Sequence, residues 1–466
     1  MIRKAAMIVG FDYPFTQQLA KAGIKVACQI SARRPSGHEN FEFVPHESYV
    51  RYTQPQTSYM PVSQALYKKI SAICHEQFIR CAERYANTRA HINDWSDSEL
   101  LFRRSIAMAL ELIARHKPDC LIFANIPHRS NTIVLLGTAR ALGIETAVCD
   151  QAQFPGRLWI MDHWLDHGLF KSSRRAEPVD IDITPPQAMP FYMRKIRRPL
   201  EKSLRAALKY AEFNLRYLLT PLDLALRADN TGLNRVLDEL RNAGQLLKYN
   251  RYKKRAAFIS YSGIAGDFVY FPLHLQPEMT TDITGGYFGN QIAALEAVRE
   301  IVPAHIPIII KENPKQNGLM RGQLFWERLS VIPNVIMTED AAPSLELMRR
   351  AIATAVITGT AGWEALRCGK PVMLLGNTFW RSLPGAFHIE DGIDWKKLSA
   401  FRFDPNAFAA GVAEMTRYSY QGITDFDYTQ IVEDFSPDEN RALLAQSLRQ
   451  HFEWQDKKSG KRRQPR

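Results

Sequence analysis

The sequence predicts an α/β chain built from parallel sheets in two Rossmann-like domains, on three observations. Residues 5–30 run strand, turn, helix, strand, a βαβ unit that closes only as a parallel pair. From residue 263 onward, short apolar runs alternate with helical patterns, as strands buried on both faces do. Residues 355–376 (AVITGTAGWEALRCGKPVMLLG) then join two such strands through a Gly/Thr turn and a short helix.

The 466 residues suffice for two ordinary domains. The chain divides into a first domain (1–170), a basic helical linker (171–262), a second domain (263–400), a helical return segment (401–455) and a basic tail (456–466). Six cysteines lie scattered without CxxC pairing, three of them in or beside apolar runs, which predicts reduced, buried thiols and a cytoplasmic protein. The N-terminal apolar run of about five residues is too short for a secretory h-region. No run reaches the ~18 residues that would span a bilayer. A formal net charge of +12 suits small anionic substrates, an anionic membrane surface or nucleic acid. No RNP, zinc-finger or helix-turn-helix signature appears, so nucleic acid comes last.

In chain order, a strand at 5–10 ends at Phe11-Asp12-Tyr13-Pro14, a helix spans 16–22, and Gly23 caps it before a strand at 24–30. The first turn lacks G-x-G-x-x-G, which disfavours hydride transfer. Asp12 is a candidate base at a strand end, or simply a turn residue. After a polar stretch, helices at 62–86 and 96–116 lead to a strand at 120–124, a helix at 130–142 and a strand at 145–149. That order sets Asp150 and Gln151 at a strand's C-terminal end, where ligands are met in such sheets. Asp150 is the second candidate base. His163 and His167 have the i,i+4 spacing of two imidazoles on one helix face, but no third ligand can be named and a metal is disfavoured. Residues 171–255 carry Arg/Lys clusters (Arg194-Lys195, Arg197-Arg198, Lys253-Lys254-Arg255) with Phe191, Tyr192, Phe213 and Tyr217. Such a segment docks on an anionic membrane surface, or packs its apolar face on a domain as a solvated linker.

In the second domain a strand at 268–271 ends in Pro272-Leu273-His274-Leu275-Gln276-Pro277-Glu278, and a strand at 306–310 ends in Lys311-Glu312-Asn313-Pro314. A strand at 335–337 and a helix at 344–350 precede the 355–376 stretch. Its small residues, Thr358-Gly359-Thr360-Ala361-Gly362, let backbone N–H groups approach an anion, and the helix that follows adds its positive dipole end. Glu364, one turn in, is placed to accept bonds from ribose hydroxyls. Gly369 and Pro371 end the helix before the next strand. The alternative is an ordinary Gly-rich strand-to-helix turn. For His274 and Lys311 the alternatives are likewise a ligand pocket or a loop contact.

The Phe271–Glu278 motif, Lys311-Glu312-Asn313-Pro314, and the run from Thr358 to Val372 together resemble the bacterial capsule polysaccharide biosynthesis family, which includes β-Kdo transferases. The resemblance lies in the second half and implies a GT-B-like glycosyltransferase: two Rossmann-like domains around a cleft, a nucleotide-sugar donor held mostly by the second, no cofactor and no obligatory metal. Carried over, Lys311, Thr358, Gly359, Thr360 and Gly362 would hold the donor phosphate and Glu364 its ribose or base. His274, Glu278 and Asn313 would line the donor pocket, with His274 joining Asp12 and Asp150 as catalytic candidates. Asn313 stands where relatives often carry histidine, and this departure bears on whether the donor is CMP-Kdo. The implied function is transfer of a sugar such as Kdo to a glycan or glycolipid acceptor, in the cytoplasm, with peripheral contact to the anionic inner membrane and no nucleic acid. Two other functions stay open. A UDP-sugar 2-epimerase-like enzyme would carry extra carboxylates and a histidine in the first-domain cleft, where the sequence shows no comparable cluster. A non-catalytic capsule-assembly protein would keep the fold alone.

Overall fold

The computed structural model describes residues 4–32, 41–46, 49, 60–84, 94–187, 247–316 and 321–460. Five parallel strands, β1 (Lys4–Val9), β2 (Ile24–Ser31), β3 (Glu42–Pro45), β4 (Cys120–Phe123) and β5 (Glu145–Gln151), lie in the order β3-β2-β1-β4-β5. The chain runs outward from β1, then crosses back to β4, so the strand order reverses between β1 and β4. In doubly wound sheets that reversal opens a crevice beyond the strands' carboxyl ends. β6 (Arg157–Met161) folds back antiparallel on β5. β6 is not marked in the sequence, because RLWIM is too short to separate from a buried helix turn by pattern alone.

The second sheet repeats the design. Its six parallel strands are β7 (Val269–Pro272), β8 (Ile308–Lys311), β9 (Val335–Met337), β10 (Ala353–Val356), β11 (Val372–Leu374) and β12 (Ala386–His388), in the order β9-β8-β7-β10-β11-β12. Here the reversal falls between β7 and β10. The four residues of β8 are all buried, which explains their unbroken apolar run up to Lys311. Each such Ile or Val contributes about 1.5–3 kcal/mol when fully withdrawn from water. The fold is thus the GT-B-like arrangement expected: two Rossmann-like sheets, each with a switch point.

The chain then returns to the first sheet. β13 (Tyr420–Gln421) pairs antiparallel with β6, and the helix Pro437–Lys458 packs on the helix Tyr13–Lys21. Between the halves, Trp159 of β6 stacks on Phe379 with centroids 5.6 Å apart. The Arg80 guanidinium donates to the carbonyls of Gly286 and, at 3.4 Å, Asp282. The basic cluster at 194–198 and its aromatics lie outside the described residues. At the end of that segment Tyr249 is buried against Trp326, while Lys253 pairs with Asp340 and Arg255 with Glu327 on the second domain. Among the described residues no helix is long and apolar enough to cross a membrane.

Candidate active site

A cavity of about 370 Å³ lies where the two sets of strand ends meet. Asp150, His274, Glu278, Lys311, Asn313, Thr358, Gly359, Thr360 and Glu364 all line it. Asp12 and Gly362 do not. The Asp12 carboxylate is bound by Arg441 of the C-terminal helix, at 2.6 Å, beyond the end of β1. Gly362 is buried inside the helix Thr360–Arg367, where an added Cβ would lie 2.4 Å from the Trp380 ring. Its smallness serves helix packing rather than approach to a ligand.

The turn after β10 is held by His274, just beyond β7 across the switch point. His274 Nε2 accepts from the N–H groups of Ile357 and Gly359, both at 3.2 Å. An acceptor Nε2 leaves the proton on Nδ1, so the ring is neutral. Burial, reinforced by the nearby Arg321 charge, pushes its pKa down to about 3. A Cβ on Gly359 would come within 2.8 Å of that nitrogen, so this glycine is required by histidine rather than by phosphate. The Gly359 N–H is likewise already engaged. What remains for an anion at this helix start is the Thr360 and Ala361 backbone, which has no intrahelical acceptor by position. Thr358 Oγ1 is tied to the Thr280 carbonyl at 2.7 Å.

Two titratable groups mark the second-sheet wall of the cavity. Lys311 is 5% exposed and donates to Ser344 Oγ at 2.7 Å. Burial lowers its pKa, with Asp340 opposing. Glu364 is 9% exposed, and burial raises its pKa to about 7 against the smaller pulls of Arg367 and the Thr360 hydroxyl. Asn313 caps its own turn: its Oδ1 accepts from Lys315 N at 2.9 Å. An amide does this as an Asx turn, which accounts physically for asparagine here.

Sequence reasoning missed the frame beneath these loops. Gln291 bonds both the N–H and the carbonyl of His274, at 2.9 Å each. The fully buried Arg321 donates to the same carbonyl at 2.9 Å, to Gln276 at 3.0 Å and to Glu312 at 3.2 Å. A buried charge so paired holds its loop firmly, because removing one partner strands the other. Arg321 sits in a polar stretch with no motif, so nothing in the sequence marked it; Gln276 lay unassigned inside a quoted motif.

The first-domain wall also exceeds expectation. His163 and His167 flank a single 3-10 turn, Trp164–Asp166, rather than one helix face. His163 Nδ1 accepts from Leu165 N, and burial, then Arg140, pushes its pKa down to about 3. His167 instead lines the cavity, with Nε2 3.1 Å from Asp150 Oδ2. Among the described residues no group of three or more His, Cys, Asp or Glu side chains is placed to hold a metal ion. Gln151, beside Asp150, accepts from Thr424 N and Asp425 N at 3.0 and 3.2 Å, which brings Asp425 and Tyr428 of the return segment to the cavity rim.

No curated protein matches this chain by sequence. Among solved structures it is similar to two β-Kdo transferases of Thermosulfurimonas dismutans KpsC. The 2,7 transferase is 15% identical with a TM-score of 0.30, over 67% of this chain and 82% of that one. The 2,4 transferase is 12% identical with a TM-score of 0.30, over 65% and 81%. The UDP-GlcNAc 2-epimerase of Methanocaldococcus jannaschii is 12% identical with a TM-score of 0.26, over 88% and 97%. Residues 237–417 match the family of capsule polysaccharide biosynthesis proteins, so the resemblance drawn from three sequence motifs is borne out in the segment that supplies the second-sheet wall of the cavity.

Proposed function

We propose that this protein is a glycosyltransferase of capsule or surface polysaccharide biosynthesis that binds a nucleotide sugar in the cavity between its two sheets. The observation that carries the proposal is the gathering of Lys311, the Thr358–Thr360 turn and Glu364 on one wall, opposite the Asp150–His167 pair. In this mechanism Lys311 and the helix start offset charge growing on the leaving phosphate. Glu364 bonds the ribose or base. Asp150, with His167 beside it, takes the proton of the acceptor hydroxyl. His274 acts through the backbone, as a positioning residue for the Gly359 turn. Kdo supplied from CMP-Kdo is the donor to test first, and the acceptor is a glycan or glycolipid. The undescribed basic segment would supply contact with the anionic inner membrane face.

The test is a thermal-shift panel with CMP, UDP, GDP and dTDP. A nucleotide at one hundred times its dissociation constant adds about 2.7 kcal/mol to the stability of the folded state. Stabilisation by one of them, lost in Lys311→Ala, supports the site. No shift with any of the four contradicts it.

A second reading has a specific observation behind it. The UDP-sugar 2-epimerase-like enzyme calls for a histidine and carboxylates in the first-domain cleft, and His167, Asp150 and Asp425 do line the cavity. Incubation with UDP-GlcNAc alone separates the two enzymes, since only the epimerase turns over without an acceptor.

A further inference from the structure

The second domain carries an exposed face that the cavity does not use. Two helical segments, residues 247–253 and the helix Gln323–Val331, lie side by side on the second sheet. Each seats one large aromatic, Tyr249 and Trp326, in the same buried core, with ring centroids 5.7 Å apart. The Tyr252 hydroxyl donates to Gln323 Oε1 at 3.1 Å and Arg255 pairs with Glu327, so the two segments run in the same direction. At 3.6 residues per turn, the side opposite Tyr249 carries Leu247 and Arg251, with Lys254 just past the last turn. The side opposite Trp326 carries Leu324, Arg328 and Val331. All six are exposed, with Leu247 at 58%, Leu324 at 80% and Val331 at 64%. Because both segments bury their aromatic in one core, the two ridges face the same solvent.

Charge on this face is one-sided. Lys253, Arg255 and Arg328 are met by Asp340, Glu327 and Glu296. Lys248, Arg251 and Lys254 are exposed and form no ion pair among the described residues. The two leucines stand at the cavity end of the sheet. Tyr249, two residues after Leu247, bonds Glu312 Oε2 at 3.1 Å, and Arg321, three before Leu324, bonds the same oxygen at 3.2 Å. Glu312 itself lines the cavity.

We propose that this face docks on an anionic bilayer surface, with Leu247, Leu324 and Val331 entering the headgroup boundary and Lys248, Arg251 and Lys254 meeting lipid phosphates. Apolar ridges with unpaired cations between them are what an interfacial helix presents to such a surface. A neutral bilayer would leave the three cations unmatched. A nucleic acid would match them and leave the leucines in water. Docking through the leucine end sets the loop after β8, and the cavity it lines, beside the headgroups. An acceptor anchored in the bilayer would then reach the cavity without leaving the lipid, a consequence that rests on the glycosyltransferase reading.

The experiment is co-sedimentation of the full chain, at low salt, with vesicles of phosphatidylcholine alone and of phosphatidylcholine with phosphatidylglycerol. Two double variants are run beside it: Leu247→Ser with Leu324→Ser, and Arg251→Gln with Lys254→Gln. All four residues are exposed, so both variants should melt with the wild type. The wild type is expected to bind the anionic vesicles and not the neutral ones. Loss of two cations should weaken that binding about thirtyfold, at about fivefold for each cation near an anionic surface. Loss of the two leucines should weaken it as well. Equal binding to both vesicle types, binding to neither, or anionic binding unchanged in either variant overturns the proposal. A dimer that forms without lipid and is abolished by the leucine variant also overturns it, and gives the face to a second copy of this chain. The nucleotide panel is run on the same samples. If no nucleotide stabilises the wild type while vesicle binding depends on these residues, the donor site fails and the docking face stands. A nucleotide shift without such vesicle binding gives the converse.

Discussion

Replacing Glu364 by glutamine should make the ligand-free protein more stable, and increasingly so as pH rises. An unfolded glutamate releases its proton near 4.5, whereas the buried Glu364 carboxyl keeps its proton up to about 7. Between these values the native state binds a proton that the unfolded chain does not. The contribution of this group is therefore full below pH 4.5, falls as pH rises through the window, and is level above it. At about 1.4 kcal/mol per pH unit the window is worth about 3 kcal/mol. Glu364→Gln has no charge to bury and escapes that loss. With about 2–4 °C per kcal/mol for a domain of this size, its melting temperature should match the wild type near pH 4.5 and exceed it by roughly 6–12 °C at pH 8. The assay is a pair of melting series across pH 4.5–8. Parallel curves for the two proteins would refute the reasoning, since Glu364 would then ionise as it does in water. The same variant should lose nucleotide-induced stabilisation, because an amide is a weaker acceptor for ribose hydroxyls than a carboxylate.

Four further variants test the geometry. Lys311→Ala should lower transfer roughly a hundredfold, about 3 kcal/mol of transition-state stabilisation, with the circular dichroism spectrum unchanged. Asp150→Asn should abolish transfer while keeping the nucleotide shift; Asp12→Asn should keep both, because its pair with Arg441 is a half-exposed ion pair of about 0–1 kcal/mol outside the cavity. Gly362→Ala should cost about 1–3 kcal/mol by driving a methyl group into the Trp380 ring, seen as a lower urea midpoint.

The second sheet was largely legible in the sequence. Parallel strands buried on both faces write themselves as unbroken apolar runs, and the loops beyond them begin where the polar residues do, as at Lys311 after Ile308-Ile309-Ile310. The second-sheet wall of the cavity followed from those loop positions. The first-sheet wall did not, because no local pattern encodes it. Asp150 and His167 meet only through the β5–β6 hairpin and the turn after it, and Asp425 arrives from a return segment far along the chain. The glycines were noticed for a reason the structure reassigns: Gly359 makes room for His274 and Gly362 for Trp380. Sequence shows that a small residue is needed, and only packing shows against what. Arg321 illustrates the same limit, since its partners converge from two separate loops, the His274 carbonyl and Gln276 from the one after β7 and Glu312 from the one after β8.

On the proposed function, one crevice at the second sheet's switch point receives a nucleotide's negative charge. A co-crystal structure with whichever nucleotide stabilises the protein tests it most directly. Phosphate oxygens should lie against the Thr360 and Ala361 backbone with Lys311 Nζ in reach, and the ribose beside Glu364. A nucleotide seated beyond β1 near Asp12, or anywhere that leaves Lys311 bonded only to Ser344, would contradict it.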